Sequence, residues 1–152
     1  MASDERESEN LLYTYAKRLD AGDFAGVADL FAHGRILPGP DSGAEESVVG
    51  RAGVLAMYET ATRLHADGTP RSHHVTTNAL VEVNPDGEQA QASSYFTVLQ
   101  QTDSLPLQVV ITGQYEDTFH KIEGRWAFAT RTMHVKLLGD LHEHLLFDLG
   151  GA

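Results

Sequence analysis

The chain has 152 residues, with 22 acidic against 11 basic side chains for a formal charge of −11, 8 histidines and no cysteine. The lack of cysteine excludes disulfides, thiolate nucleophiles, zinc ribbons and iron–sulfur clusters, and the negative charge disfavours phosphate backbones and anionic lipid surfaces. A hydrophobic fraction of 41% with 22% charged residues fits one globular domain able to enclose a core, leaving His, Asp, Glu, Tyr, Arg, Ser and Thr as reactive groups.

The N-terminus, MASDERESEN, is acidic and polar, without the basic and apolar regions of a signal peptide. No apolar run reaches the roughly 18 residues that cross a bilayer, so a cytoplasmic location and no membrane partner are expected. Asp4, followed three residues later by Glu7, suits a helix N-cap with its partner. Leu11, Leu12, Tyr15, Ala16 and Leu19 then recur at helical spacing. Gly22 ends that helix, Asp23 caps a second, and Phe24, Val27, Ala28 and Phe31 form its buried face. Residues 34–49 hold Pro38, Pro40 and three glycines, and read as loop after a short strand at Arg35–Leu37. A third helix is expected from Arg51 to about His65, with Val54, Met57, Tyr58, Ala61 and Leu64 on one side.

Beyond Gly68 the pattern becomes β-rich. Turns at Asn84-Pro85-Asp86-Gly87, at Asp103-Ser104 before Pro106, and at Glu123-Gly124 separate four strands. These are Ser72–Val83, Glu88–Gln101, Leu107–His120 and Arg125–Leu138. Long strands with short turns imply an antiparallel meander, and helices before strands give an α+β domain. Neither a repeat nor a linker divides residues 1–152. The stretch 139–152 carries Leu141, Leu145, Leu146, Phe147 and Leu149, and is expected to pack over the domain or onto a neighbouring subunit.

No phosphate-binding glycine loop, His-Glu-x-x-His or Gly-x-Ser-x-Gly occurs. Asp20 closes the first helix, where the dipole disfavours a carboxylate. It borders the apolar stripe, so it either points partly inward or is a solvated turn residue. His73 and His74 open the first long strand on opposite faces. His73 aligns with Val75, Thr77, Ala79 and Val81, the apolar side, while His74 aligns with Thr76, Asn78 and Leu80. By alternation His73 faces the core and His74 solvent, although in a hollow, curved sheet the polar row can line a cavity. His142-Glu143-His144 places two imidazoles at i, i+2, and without a spaced third ligand a solvated tail is the better reading. Arg131 alternates with Ala127, Ala129 and Met133, as an edge charge or as an anion and carbonyl binder in a pocket.

The chain resembles the SnoaL-like branch of the nuclear transport factor 2-like superfamily from about Glu7 to Met133. The resemblance rests on Leu12–Asp20 with Gly22-Asp23-Phe24, Asp29-Leu30-Phe31, Gly50-Arg51 and Ser72-His73-His74-Val75-Thr76-Thr77-Asn78. It continues through Ala92-Ser93-Ser94-Tyr95, Gly113–Phe119, Gly124-Arg125-Trp126-Ala127-Phe128 and Arg131. It implies a cone of three N-terminal helices around a curved, mainly antiparallel sheet, a deep apolar pocket and a homodimer or homotrimer. Members such as scytalone dehydratase, the hexachlorocyclohexane dehydrochlorinase and bile-acid 7α-dehydratase use an Asp–His pair. Their aspartate matches Asp20, and their histidine, a few residues before an asparagine, matches His74 ahead of Asn78.

The resemblance therefore implies a cofactor-independent lyase, with His74 as base and Asp20 as its orienting partner. No metal or nucleic acid is expected, and the substrate is a hydrophobic, ring-containing small molecule. Tyr15 and Arg131 correspond to further site residues of the bile-acid enzyme, and Tyr58 joins them as a substrate-binding candidate. One departure stands out. The dehydratases carry a further His or Asp on the second long strand, whereas Ser93–Gln100 has neither, leaving Tyr95 and Thr97 as its nearest polar candidates. Isomerase or polyketide cyclase chemistry, or a non-catalytic binding or assembly module of the same fold, are the alternatives.

Overall fold

A computed structural model describes residues 1–149; the last three residues of the expected extension lie outside the described residues. Three helices come first: α1 (Asp4–Asp20), α2 (Phe24–Asp29) and, after two short strands β1 (Arg35–Leu37) and β2 (Val48–Val49), α3 (Gly50–Ala61). Four long strands follow: β3 (Ser72–Val83), β4 (Gln89–Gln100), β5 (Gln108–Ile122) and β6 (Arg125–Leu138). The sheet order is β2-β1-β6-β5-β4-β3, antiparallel except for β1 beside β6.

The stripes of the first two helices bury as the spacing predicts, and of the third Val54 and Tyr58 are buried while Leu64, beyond the helix end, is exposed. Leu12, Tyr15, Ala16 and Leu19 of α1 and Phe24, Val27 and Ala28 of α2 are buried, as is Phe31 just beyond α2. Phe31 stacks on Phe128 of β6 with centroids 4.7 Å apart. Two helix ends differ from expectation. The α1 N-cap is Ser3, whose hydroxyl accepts from the Arg6 backbone N–H at 3.2 Å. Asp4 instead accepts from the Trp126 indole N–H at 2.9 Å, pinning the helix to β6. Helix α3 stops at Ala61, short of His65, because Thr62 turns extended and bridges to Leu145.

The sheet curves because its strands carry bulges. Between Thr77 and Leu80, β3 holds one residue more than its partner β4, and Asn78 there takes φ 54°. Asparagine tolerates this left-handed conformation better than the β-branched residues around it. A second irregularity near Ala129 shifts β6 against β5, and others lie at Val98/Leu99 of β4 and Thr112/Gly113 of β5. Each bulge bends the strand and switches which residues face inward. On β3 the inner row therefore runs His74, Thr76, then Ala79, Val81 and Val83, with His73 and Val75 outside. On β6 it runs Trp126, Phe128, then Arg131 and Met133. Strict alternation, which put His73 inside and grouped Arg131 with Ala127 and Ala129, fails at these two bulges.

Candidate active site

Asp20 is the last residue of α1, and two local features hold it in place. Gly22, at φ 77°, closes the helix so tightly that a Cβ there would lie 2.1 Å from the Gly68 carbonyl oxygen. Strand β3 begins beside it and supplies donors. The carboxylate accepts from the His74 backbone N–H at 2.7 Å, from the Ser72 hydroxyl at 3.0 Å and from His74 Nδ1 at 2.5 Å. These three donors offset the unfavourable helix dipole. Because Nδ1 carries its hydrogen toward Asp20, Nε2 is left with a free lone pair, the arrangement of a general base. The His74 side chain is 6% exposed and that of Asp20 16%.

Deeper in the cone the chemistry differs. Arg131 is fully buried and forms a two-pronged pair with Asp117, Nε to Oδ1 at 2.7 Å and Nη2 to Oδ2 at 3.0 Å. Its guanidinium carbon lies 3.6 Å from the Tyr115 ring centroid and 4.2 Å from that of Tyr15. Burial opposes the Arg131 charge, but the Asp117 carboxylate more than offsets this and holds the guanidinium protonated. Its remaining nitrogen, Nη1, is buried without a hydrogen-bond partner among the described residues. Tyr15 and Tyr58 join their hydroxyls in a short hydrogen bond beside it. Burial raises the pKa of Tyr15, and raises those of Tyr58 and Tyr115 further, so all three remain neutral hydroxyls. A fixed cation with an idle donor and neutral phenols can polarise a carbonyl or hydroxyl oxygen.

Two sequence candidates lie elsewhere. Tyr95 and Thr97 are on the outer face of β4, Tyr95 51% exposed, and line an external cleft with Lys136. They do not enter the cone, because β4 alternates with Phe96 and Val98 inward. The inward polar residues of that strand are Ser94 and Gln100, both buried, with Ser94 Oγ and Gln100 Oε1 unpartnered. Placing the core on Phe96 and Val98 would have found them.

The C-terminal segment adds a residue that spacing assigned to a solvated tail. His142 is exposed and pairs with Asp140, but His144 is buried, its ring centroid 6.2 Å from that of His74. The signal in the sequence was the apolar Leu141, Leu145 and Leu146 flanking it. Among the described residues, surface clefts of 430 to 660 Å³ surround the cone, and these are lined by residues other than Asp20, His74, Tyr15, Tyr58 and Arg131.

Among the described residues no group of three His, Cys, Asp or Glu is placed to hold a metal, and no helix is long and apolar enough to cross a membrane.

A family model for the SnoaL-like domain matches residues 1–132. No curated protein matches the chain. Among solved structures, a protein of unknown function with a cystatin-like fold from Nostoc punctiforme is 25% identical, with a TM-score of 0.70 over 93% of this chain and 97% of that one. A Novosphingobium aromaticivorans protein provisionally assigned as a scytalone dehydratase is 24% identical, with a TM-score of 0.67 over 97% and 93%. Aln2 from a Streptomyces species is 20% identical, with a TM-score of 0.65 over 86% and 88%. These likenesses carry the cone-shaped α+β fold.

Proposed function

The chain belongs to the SnoaL-like domain family, and on that footing we propose that it is a cofactor-independent lyase of the dehydratase type. The reading rests on the Asp20–His74 pair, whose Nδ1–Oδ1 contact of 2.5 Å makes Nε2 the basic nitrogen of a neutral imidazole. His74 Nε2 takes a proton from the carbon next to a substrate carbonyl. The electron pair left behind forms the new double bond as the neighbouring C–O bond breaks. The proton held by His74 passes to the departing hydroxyl, giving water and restoring the neutral imidazole. Asp20 fixes the tautomer and stabilises the transient imidazolium. No electron is exchanged with an outside carrier, so the step as written uses no cofactor.

Tyr15, Tyr58 and Arg131 favour an apolar ring bearing oxygen substituents: flat aromatic walls bind the ring, and neutral phenols with a guanidinium N–H meet one of its oxygens. General base catalysis is worth about 10²–10⁴-fold, the remainder coming from orientation and this fixed polar layer. Turnover of 3-hydroxy-1-tetralone, which yields fluorescent 1-naphthol after loss of water, tests the reading. His74→Ala and Asp20→Asn should each lose about 10²-fold or more with the fold retained. Equal turnover in wild type and both variants removes the proposed roles. A product with the hydroxyl retained but the ring isomerised or closed would assign the same base to an isomerase or cyclase.

Exposed apolar side chains on the sheet support a second reading, a binding or assembly module without turnover. Among the exposed side chains are Val75, Tyr95, Val109 and Leu137, apolar residues suited to a homodimer or homotrimer contact. Sedimentation of wild type against Leu137→Asp tests that assembly. A fluorescent apolar ligand that binds but is never converted would favour this second reading.

A further inference from the structure

We propose that His144, delivered by the C-terminal segment, is a second substrate-contacting residue of the Asp20–His74 site, donating a hydrogen bond from a neutral imidazole to the substrate carbonyl oxygen. The inference rests on the lyase reading above and extends it.

The geometry comes first. His144 is 7% exposed and sits beside His74, and its Nδ1 is buried with no hydrogen-bond partner among the described residues. A buried, unpaired ring nitrogen costs free energy that a solvated tail would not incur. The segment is anchored on both sides of the residue. The His144 carbonyl accepts from the Arg63 backbone N–H at 2.9 Å, and the Leu146 N–H donates to the Ala61 carbonyl at 2.9 Å. The Glu143 carbonyl accepts from Gln100 Nε2 and from His65 Nε2, each at 2.9 Å, while the Glu143 carboxylate takes the Ser104 hydroxyl. Two stretches of chain, 61–65 and 100–104, thus fix the backbone around one imidazole and leave its nitrogen idle.

The charge state suits a donor. Burial first, then the neighbouring His74 and His65, lower the His144 pKa to about 4 against the pull of Asp20. His144 is therefore neutral at physiological pH, and a neutral imidazole N–H can polarise a carbonyl without ionising. The proton account of the elimination is unchanged. His74 takes and returns the proton, and His144 keeps its own while the negative charge passes through the carbonyl oxygen. Helix α1 thus contributes Asp20, β3 contributes His74, the loop after α3 contributes His65, and the tail contributes the donor. Here β4, which carries Ser94 and Gln100 inward, supplies neither a histidine nor an acid.

The test compares wild type, His74→Ala, His144→Phe and His144→Gln on 3-hydroxy-1-tetralone. His144→Phe should lose about 10²-fold in kcat with KM changed less than threefold, and the amide N–H of His144→Gln should recover at least tenfold of that loss. A merely structural role for His144 would instead raise KM or lower Tm, and glutamine would not rescue kcat. Wild-type kcat in His144→Phe, with His74→Ala inactive, overturns the inference alone. Absence of turnover in wild type overturns the lyase reading and this inference with it.

Discussion

The two ends of the cone interior handle buried polarity in opposite ways. At the Asp20–His74 end, an acid and an imidazole share a hydrogen bond, and a second imidazole, His144, stays neutral beside them. In the deeper layer, Arg131 and Asp117 are both charged, doubly hydrogen-bonded and wrapped by Tyr15, Tyr115 and Phe128. The first end is built around one carboxylate and two imidazoles in close contact. The second is built around a charge that cannot move. Under the lyase reading proposed above, proton transfer belongs to the first end and the fixed positive charge to the second.

The sharpest way to break that contrast is at His74. His74→Ala should lower turnover by about 10²–10⁴-fold while leaving Tm within a few degrees, since it removes a base and no buried charge. At the deeper layer the balance reverses. Asp117→Ala leaves the Arg131 cation buried and unpaired, and should cost about 3–5 kcal/mol in urea unfolding. Arg131→Met together with Asp117→Leu should recover most of that stability yet not the activity.

Protonation of His144 probes the boundary between the two ends. Its folded pKa of about 4 lies below the ordinary value of 6.5, so the unfolded chain binds the proton first as pH falls. The stability that depends on neutral His144 is fully present above about pH 6.5 and is lost as pH falls to about 4, where the folded chain also protonates. The difference amounts to about 3 kcal/mol. His144→Phe should remove that part of the pH dependence, seen as the difference between two unfolding curves measured at pH 7 and pH 4.5. The smallest effect lies in the sheet. Asn78→Val places a β-branched residue at φ 54° and should destabilise by about 1–2 kcal/mol, with activity reduced only as far as His74 shifts.

Legibility followed the same division. Helix stripes and turns could be read because a period of 3.6 and the Asn-Pro-Asp-Gly turn need only local sequence. The Ser72–Val83 and Arg125–Leu138 boundaries match for the same reason. Which face of those strands lines the cone could not be read. One extra residue at Asn78 and another near Ala129 exchange the faces, and a bulge is decided by pairing with the neighbouring strand. Hence His74 and Arg131 looked ambiguous, and Tyr95 and Thr97 were placed inside although the β4 pattern sends them out. Asp20 and His74 stood out through family resemblance, since spacing alone left each with a bland alternative. His144 was hidden because its position depends on Leu145 bridging to Thr62, far away in sequence.

The central claim, that His74 oriented by Asp20 abstracts a proton from carbon, does not depend on which leaving group follows. It is tested most directly by hydrogen exchange at C2 of 1-tetralone in D₂O, followed by NMR. The account predicts protein-catalysed deuterium incorporation in wild type, reduced at least about 10²-fold in both His74→Ala and Asp20→Asn. Exchange at equal rates in all three proteins, or none above buffer in wild type, would contradict it.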